Sequence, residues 1–263
     1  MNTIRQMAQV YRLYATNCFV EAMSFRVHFI LLVFMDLLFY LTTLATVDFI
    51  YNYVPSIGLW TRTEFMFFIS FMLVIDHLHM TFISESFWNF SFEIRTGNLD
   101  FILLKPIPSL FAIFFRFLRP GTLVNIFFPW GCAIYFGLEL GFGIGQWLLI
   151  PVFVVLGLGL LVSLEILLSM SMFWTVESFG INFLRMQLQQ LSRWPDFIFK
   201  SFARKLFTIV IPVLLIGSIP TKILLQELGI EYILILAGAM ISIWPLIFVF
   251  WRLGLRKYES ASS

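Results

Sequence analysis

Three ionisable side chains stand close together inside one of the apolar runs of this sequence. Asp76, His77 and His79 fall within residues 65–83, which are otherwise almost entirely apolar. A pair of metal-binding histidines on a helix is spaced by four residues, so that both face the same side. A spacing of two puts His77 and His79 on different faces. The pattern therefore favours polar packing over a metal site or a proton relay.

Sequence motifs for catalysis are absent from the chain. There is no G-x-x-x-x-G-K-[ST] phosphate loop, no H-E-x-x-H, no C-x-x-C and no G-x-S-x-G. The two cysteines, Cys18 and Cys132, provide neither a disulfide framework nor a four-ligand zinc site. The chain is therefore not expected to bind nucleotide through a P-loop, to hold a metal or to catalyse a reaction itself.

Composition places the chain in a membrane. Of its 263 residues, 60% are hydrophobic, 19% aromatic and only 12% charged. A soluble domain has about 45–50% apolar and about 25% charged residues. So few charges cannot cover the surface of a soluble protein of this size, and the same composition excludes intrinsic disorder. The net charge of +2 is too small to indicate a nucleic-acid partner.

Long apolar runs without alternation predict transmembrane helices and not a β-barrel. About 20 apolar residues cross the hydrocarbon core as a helix. The expected fold is all-α, with six spans at residues 27–50, 64–83, 110–138, 147–174, 205–226 and 230–252. The fifth span is the weakest, because it is short and contains Pro212 and Pro220. Two interpretations of it remain open, a full kinked span or a shorter span followed by a re-entrant turn.

The distribution of basic residues predicts which ends of the spans face the cytoplasm. All but two of the 17 lysines and arginines lie before the first span, between spans two and three, between spans four and five, after span six, or in the adjoining ends of those spans. Arg62 and Lys222 are the exceptions. Cytoplasmic segments are enriched in basic residues, so both termini are expected inside. Residues 1–26, with Arg5 and Arg12 among regularly spaced apolar residues, predict an amphipathic interface helix and not a cleavable signal peptide.

Two of the cytoplasmic segments have an ordered pattern. Residues 84–108 contain a turn signal at 96–98 and a short helix that is expected to stop at Lys105-Pro106. Such a compact element suits transmission of force from a soluble partner, although an ordinary loop has the same pattern. Residues 175–204 mix apolar side chains with arginines and glutamines. This pattern predicts a cytoplasmic amphipathic segment that lies on the membrane surface or binds a partner.

Three acidic residues on three different spans, Asp36, Asp76 and Glu165, lie at a similar predicted depth. They are about 12–15 Å from the cytoplasmic ends of their helices, at about 1.5 Å per residue. A lone charge at such a depth costs about 2.5–3.5 kcal/mol, so these side chains are expected to face the bundle interior or a wet cavity. Two roles remain open, a structural tie between helices and a lining of the substrate entrance. The predicted intramembrane polar cluster comprises Asp36, Asp76, His77, Glu165, Arg116 and Arg119.

Several short motifs, in this order along the chain, resemble those of type-2 ABC transporter permeases of the ABC-2 family. They are E-I-R-T-G-N-L-D at 93–100, L-L-K-P-I-P at 103–108, W-P-D-F-I-F at 194–199, the Ile-Pro pairs at 211–212 and 219–220, and W-R-L-G-L-R-K-Y at 251–258. Each motif is short. Together they cover most of the chain and agree with the topology of six spans and two cytoplasmic ends.

The resemblance implies the permease subunit of an ATP-driven exporter. Such a subunit pairs with a second permease copy or a homologous permease. It docks on two copies of a separate P-loop ABC ATPase, which would bind ATP and magnesium, and it holds no cofactor itself. It moves amphipathic or hydrophobic cargo outward across the bacterial plasma (inner) membrane, in contact with membrane lipids. The ATPase-coupling residues would be Glu93, Arg95, Gly97, Leu99, Asp100, Lys105 and Pro106.

Two other functions are compatible with the sequence. A membrane-embedded lipid-modifying enzyme would need a convergent polar site at the interface. Asp76 with His77 and His79 is the candidate for it, at a spacing that gives no shared face. A non-transporting membrane scaffold would lack a tight ATPase interface. A neighbouring reading frame that encodes a P-loop ATPase distinguishes the exporter from both.

Overall fold

The structure is a computed structural model that describes residues 3–175 and 179–258. The first half of the chain forms α1 (Thr3–Ser24), α2 (Arg26–Tyr51), α3 (Arg62–Phe82), α4 (Ser84–Arg95), α5 (Asn98–Leu103), α6 (Ser109–Phe114), α7 (Pro120–Leu123) and α8 (Phe127–Glu139). The second half forms α9 (Ile144–Ser169), α10 (Met172–Thr175), α11 (Phe179–Ser192), α12 (Ser201–Lys205), α13 (Leu215–Leu224) and α14 (Ile233–Lys257). The predicted all-α fold class is confirmed for these ranges, in which no strand occurs.

Among the described residues, five helical segments are long and apolar enough to cross a membrane. They are Arg26–Tyr51, Arg62–Phe82, Pro120–Glu139, Ile144–Thr175 and Ile230–Lys257. A sixth candidate consists of two helices joined at a sharp bend. The first, second, fourth and sixth predicted spans coincide with continuous or nearly continuous segments of this set.

α3 is the central helix of the bundle. Every side chain from Phe65 to His77 is buried, and the helix packs against α2, α8, α9 and α13. Its start is fixed by a capping box, in which the Thr61 backbone N–H donates to the Glu64 carboxylate at 2.6 Å. Because α3 is surrounded on all sides, the neighbouring helices take their positions from it.

The third predicted span, residues 110–138, is not one continuous helix. α6 ends at Phe114, and a new helical segment starts only at Pro120. Proline suits a first helical position, because its φ is fixed there and it has no N–H to satisfy. The residue before a proline is pushed out of the helical region. Accordingly Arg119 is extended, and its N–H donates to the Thr81 carbonyl of α3 at 2.9 Å.

The segment after α10 occupies a different place from the one that the sequence predicts. Residues 175–204 are predicted to lie on the membrane surface or to bind a partner, yet α11 packs against α9 within the bundle. Gln189 of α11 donates to Asp76 at 2.9 Å. The Phe197 ring, beyond the end of α11, packs 4.9 Å from the Trp60 ring in the loop before α3. The segment therefore runs towards the N-terminal end of α3. Its polar side chains, which the sequence suggests are solvent-facing, bond to buried groups of the bundle instead.

The fifth predicted span is broken by a sharp bend. Its two arms, Ser201–Val210 and Pro212–Leu224, meet at a bend of 82°. Both arms return to one carboxylate, because Arg204 of the first arm and Lys222 of the second both pair with Asp196. The Lys222 Nζ lies 2.5 Å from the Asp196 Oδ1. A continuous span would hold these two cations far apart, so the contacts favour the re-entrant alternative.

The bend of this hairpin has a local cause. Leu206–Val210 is a turn of π-helix, and the helix cannot continue through Pro212, which lacks a backbone N–H. The residue between them, Ile211, adopts φ −119° and ψ 84°. The second arm then packs closely on α9, where a Cβ added at Gly157 would lie 3.3 Å from the Ile216 carbonyl oxygen. The absence of a side chain at Gly157 allows this approach.

Both ends of the described chain lie at the same end of the bundle. Tyr11 of α1 packs on Phe111 of α6, with ring centres 6.3 Å apart. Tyr258, which follows α14, packs on Phe173 at the same distance, and Phe173 packs in turn on Phe90 of α4. α4 and α6 contact each other. Two chain ends on the same side require an even number of membrane crossings. The five long segments and α11 together make six, provided that the hairpin does not cross.

The placement of the segment after α11 is testable by cysteine labelling. With Cys18 and Cys132 replaced by serine, Lys200→Cys should react with a membrane-impermeant maleimide from the same side as Tyr53→Cys, because Tyr53 lies in the exposed loop between α2 and α3. Arg95→Cys, at the other end of the bundle, is the matched control and should react only from the opposite side. Labelling of Lys200→Cys together with Arg95→Cys would return the segment to the surface position that the sequence predicts.

Candidate functional site

The first candidate site is the coupling region, which consists of α4, the turn at Gly97 and α5. α4 follows α3 after a single residue, Ile83, whose φ of −137° and ψ of −43° interrupt the helix. Gly97 then redirects the chain with a φ of +74°, a left-handed conformation that glycine adopts without strain. α5 ends at Leu103, before Lys105-Pro106. The region is therefore attached directly to the central helix.

The predicted coupling residues divide into an inward and an outward group. Glu93, Gly97 and Leu99 are buried, Asp100 and Lys105 are half-buried, and Arg95 and Pro106 are exposed. The Glu93 carboxylate accepts a hydrogen bond from Arg116 Nη1 at 3.0 Å. Burial and the nearby charge of Arg116 lower the pKa of Lys105, although Glu93 acts in the opposite direction. Glu93 is therefore bonded within this chain and is not presented to a partner.

The exposed face of α5 carries two apolar side chains that the sequence analysis did not single out. Phe101 is 69% exposed and Leu104, which follows the helix, is 81% exposed. Leu99 and Ile102, on the opposite face, are buried. A short helix that buries one apolar face and exposes another offers a hydrophobic contact to a partner. Arg95, two residues before the Gly97 turn, is also exposed. We call Arg95, Phe101 and Leu104 together the α5 face.

The second candidate site is a buried ionic network between α3, α9 and α11. The Asp76 carboxylate is fully buried and accepts from Arg193 Nε at 2.5 Å and from Gln189 Nε2 at 2.9 Å. These two donors use different oxygens of the carboxylate. The Arg193 guanidinium carbon also lies 4.8 Å from the ring centre of Phe39 on α2. Asp76 thus has a cation and one hydrogen bond to each carboxylate oxygen, which is how a buried charge is tolerated.

Glu165 of α9 belongs to the same network. Its two carboxylate oxygens contact His79 Nε2 at 2.5 Å and Arg185 Nη1 at 3.4 Å. All three side chains are buried. The Arg185 Nε donates to the Asn182 side-chain oxygen at 3.4 Å. Because Gln189 Nε2 lies 3.4 Å from His79 Nδ1, the Glu165 and Asp76 halves are joined.

Other members of the predicted cluster form separate pairs. Asp36 is buried, and its Oδ1 lies 3.8 Å from Arg119 Nη2. His77 is also buried, and its Nδ1 lies 3.2 Å from the Tyr40 hydroxyl. The three acids therefore all lie inside the bundle, but Asp36 has its own arginine.

The prediction that Arg116 pairs with an intramembrane acid is wrong. Arg116 pairs with Glu93 in the coupling region instead. The reason is the helix break before Pro120, which keeps Arg116 outside the third crossing segment.

No group of three or more histidine, cysteine, aspartate or glutamate side chains in the described ranges could hold a metal ion. A family model described as ABC-2 family transporter protein matches residues 37–262, which is most of the chain. The chain belongs to the ABC-2 transporter family. It is a type-2 ABC transporter permease, as the sequence motifs indicate, and a multi-pass membrane transport component. A search of the curated proteins found no match, and a search of the solved structures found none either.

Sequence reasoning missed the α11 residues that this ABC-2 permease uses to neutralise its buried acids. Arg185, Gln189 and Arg193 are spaced by four residues and therefore share one side of the helix and its extension. This polar stripe was the sequence signal for an inward-facing side of α11. It was overlooked because the positive-inside rule assigned both arginines to the cytoplasm.

Removing one partner of the buried ionic network should destabilise the permease strongly. Arg185→Met leaves Glu165 with only His79, and breaking a buried ion pair costs about 3–5 kcal/mol. Arg62→Met, which breaks the exposed pair with Asp48, is the matched control and should cost about 1 kcal/mol or less. Denaturant unfolding in detergent, followed by circular dichroism, measures both. The double variant Glu165→Gln with Arg185→Met should lose less free energy of unfolding than Arg185→Met alone. Equal losses for Arg185→Met and Arg62→Met would contradict the stabilising role of the network.

Proposed function

We propose that this permease is the membrane subunit of an ATP-driven exporter and that a separate P-loop ATPase docks on the α5 face. The observation that carries the proposal is the exposure of Phe101 and Leu104 next to the Gly97 turn. Apolar side chains exposed at the end of a bundle, away from the long apolar helices, are a hydrophobic contact for a soluble protein. Arg95 supplies a charge at the rim of the same surface.

A displacement of α5 would pass to the central helix through close packing. Leu99 and Ile102 attach α5 to the rest of the region. Phe90 of α4 packs on Phe114 of α6 at 5.1 Å and on Phe173 at 5.7 Å. α4 and α3 are separated by one residue, Ile83. The coupling region would therefore move α3 with it.

From α3 the movement would reach the re-entrant hairpin at the other end of the bundle. The buried ionic network ties α3 to α11 through Asp76. The loop before α3 contacts the hairpin segment directly, because Trp60 donates to Glu227 and packs on Phe197. In this proposal the hairpin opens when the ATPase pulls on α5, and cargo leaves outward.

The remaining parts of the proposal follow the family. ATP and magnesium would bind to the partner ATPase, one copy for each of two permease subunits. The second permease would be a copy of this chain or a homologue, and the membrane would be a bacterial plasma (inner) membrane. α2 and α14 expose apolar side chains along most of their length, which supports contact with lipid and with a second permease. The cargo would be amphipathic or hydrophobic.

A lipid-modifying enzyme has less support. Its candidate residues are bonded to partners within the bundle: Asp76 to Arg193, His77 to Tyr40 and His79 to Glu165. A nucleophile or base must be free to approach a substrate. No specific contact favours a scaffold.

Changing the α5 face should detach the ATPase. The double variant Phe101→Asp with Leu104→Asp should reduce co-purification of the co-expressed ATPase by about tenfold or more, since each buried apolar side chain contributes about 1.5–3 kcal/mol and 1.4 kcal/mol is tenfold. The measurement is the ATPase-to-permease ratio after affinity purification in mild detergent.

The matched control for this experiment is Leu59→Asp. Leu59 is 90% exposed but lies in the loop at the opposite end of the bundle, so this variant should keep the ATPase. Retention of the ATPase by the α5 double variant would place the docking surface elsewhere. Failure of any ATPase to co-purify with the unaltered chain would remove the support for the exporter.

A further inference from the structure

A cavity of about 220 Å³ opens between α2, α3, α4 and α11, beside the buried ionic network. Its polar wall includes Arg185, Gln189, Gln190 and Arg193 of α11 and its extension, together with Ser84 of α4. Among the described residues that line it, none is acidic. The carboxylates of Asp76 and Glu165 belong to the network behind this wall. The cavity therefore presents hydrogen-bond donors and no acidic side chain, although both arginines are also paired with the carboxylates behind the wall.

Arg185 has donor capacity that the protein does not use. It is 1% exposed, and its Nε and Nη1 bond Asn182 and Glu165, yet its Nη2 has no hydrogen-bond partner in the described part of the chain. A buried guanidinium nitrogen without an acceptor is costly. An acceptor oxygen from a ligand in the cavity would remove that cost. Arg193 lines the same cavity and is itself partly exposed.

The rest of the cavity wall is apolar. Phe39 of α2, Met80 of α3, Trp88 of α4 and Met186 of α11 line it. Trp88 and Met186 are also partly open to the surroundings, at 41% and 39% exposure. Methionine side chains adapt their shape to different apolar groups. One side of the cavity thus suits an anionic head and the other an apolar chain.

We propose that this cavity binds the anionic head group of an amphipathic molecule, a phosphate or a carboxylate, through Arg185 and Arg193, with its apolar chain along Trp88 and Met186. Phosphate and carboxylate oxygens are the acceptors that guanidinium groups bind most strongly. The site lies in the half of the bundle that contains the coupling region, since Trp88 belongs to α4. The interpretation of this cavity as a cargo site rests on the proposed export function. Binding of the anionic head group does not depend on that function.

The probe for this site is dodecyl phosphate, titrated into the full chain in a neutral maltoside detergent and measured by isothermal calorimetry. Dodecanol and inorganic phosphate test the chain and the head group separately. Dodecyl phosphate should bind at least about tenfold more tightly than either, because both halves of the cavity contribute. Equal binding of dodecyl phosphate and dodecanol would overturn the anionic site.

Two variants test the location of the site. Gln190→Trp fills the cavity from an exposed position and leaves every ion pair intact. The pair Asp76→Asn with Arg193→Gln removes the Arg193 charge without leaving Asp76 as a lone buried acid. Both should weaken dodecyl phosphate binding by about tenfold or more, and the remote Arg62→Gln should not change it. Unchanged binding by Gln190→Trp, with an unchanged melting temperature, would overturn the proposal.

Two further measurements distinguish a bilayer phospholipid from an exported molecule as the source of the head group. Native mass spectrometry of the chain extracted from membranes would show a retained phospholipid that Gln190→Trp loses. Stimulation of ATP hydrolysis by dodecyl phosphate in the reconstituted complex, absent from the same variant, would identify exported cargo. Both results support the site. If the chain binds dodecyl phosphate but co-purifies with no ATPase, the binding site is supported and the exporter is rejected. A failure of the site can therefore be distinguished from a failure of the export function.

Discussion

A carboxylate inside a membrane protein must find its cation and its hydrogen-bond donors within the protein, and this requirement organises the permease. Asp76 and Glu165 lie on two apolar helices that hydropathy alone would insert. Their partners come from α11. The position of α11, and therefore the start of the hairpin, depends on these bonds together with the apolar packing of Ile181, Leu188 and Leu191. A different placement of α11 would leave these buried carboxylates without their arginines, which is strongly unfavourable.

The same arrangement connects the two ends of the molecule. The coupling region continues into α3 after one residue, and the loop before α3 contacts the hairpin through Trp60. α3 is buried over most of its length, so it moves only together with its neighbours. Packed interfaces of this kind shift between discrete arrangements and do not deform continuously. If the ATPase docks on α5 as proposed, a movement there would reach the hairpin through this central helix.

Much of the architecture was predictable where the sequence signal is local. Long apolar runs with few charges predicted α2, α3, α9 and α14, and the Thr-Gly-Asn turn signal predicted the turn before α5. The partners of the buried acids were not predictable, because an arginine in α11 and a carboxylate in α3 are far apart in sequence. The predicted pairing of Arg116 with an intramembrane acid was wrong for a local reason. The helix breaks before Pro120, so Arg116 lies outside the third crossing segment. Depth along a helix can be counted from sequence, whereas pairing depends on how helices meet.

The polarity of α11 also bears on how the protein is made. An arginine at the centre of a helix opposes insertion by about 2.5–3.5 kcal/mol, and this segment carries Arg185 and, just beyond the helix, Arg193. On its own it would lie at the membrane surface and would not insert. α3 and α9, which hold the matching carboxylates, are synthesised earlier and are apolar enough to be in the bilayer already. For this segment, membrane integration is therefore a step of tertiary folding and not of partitioning between water and lipid.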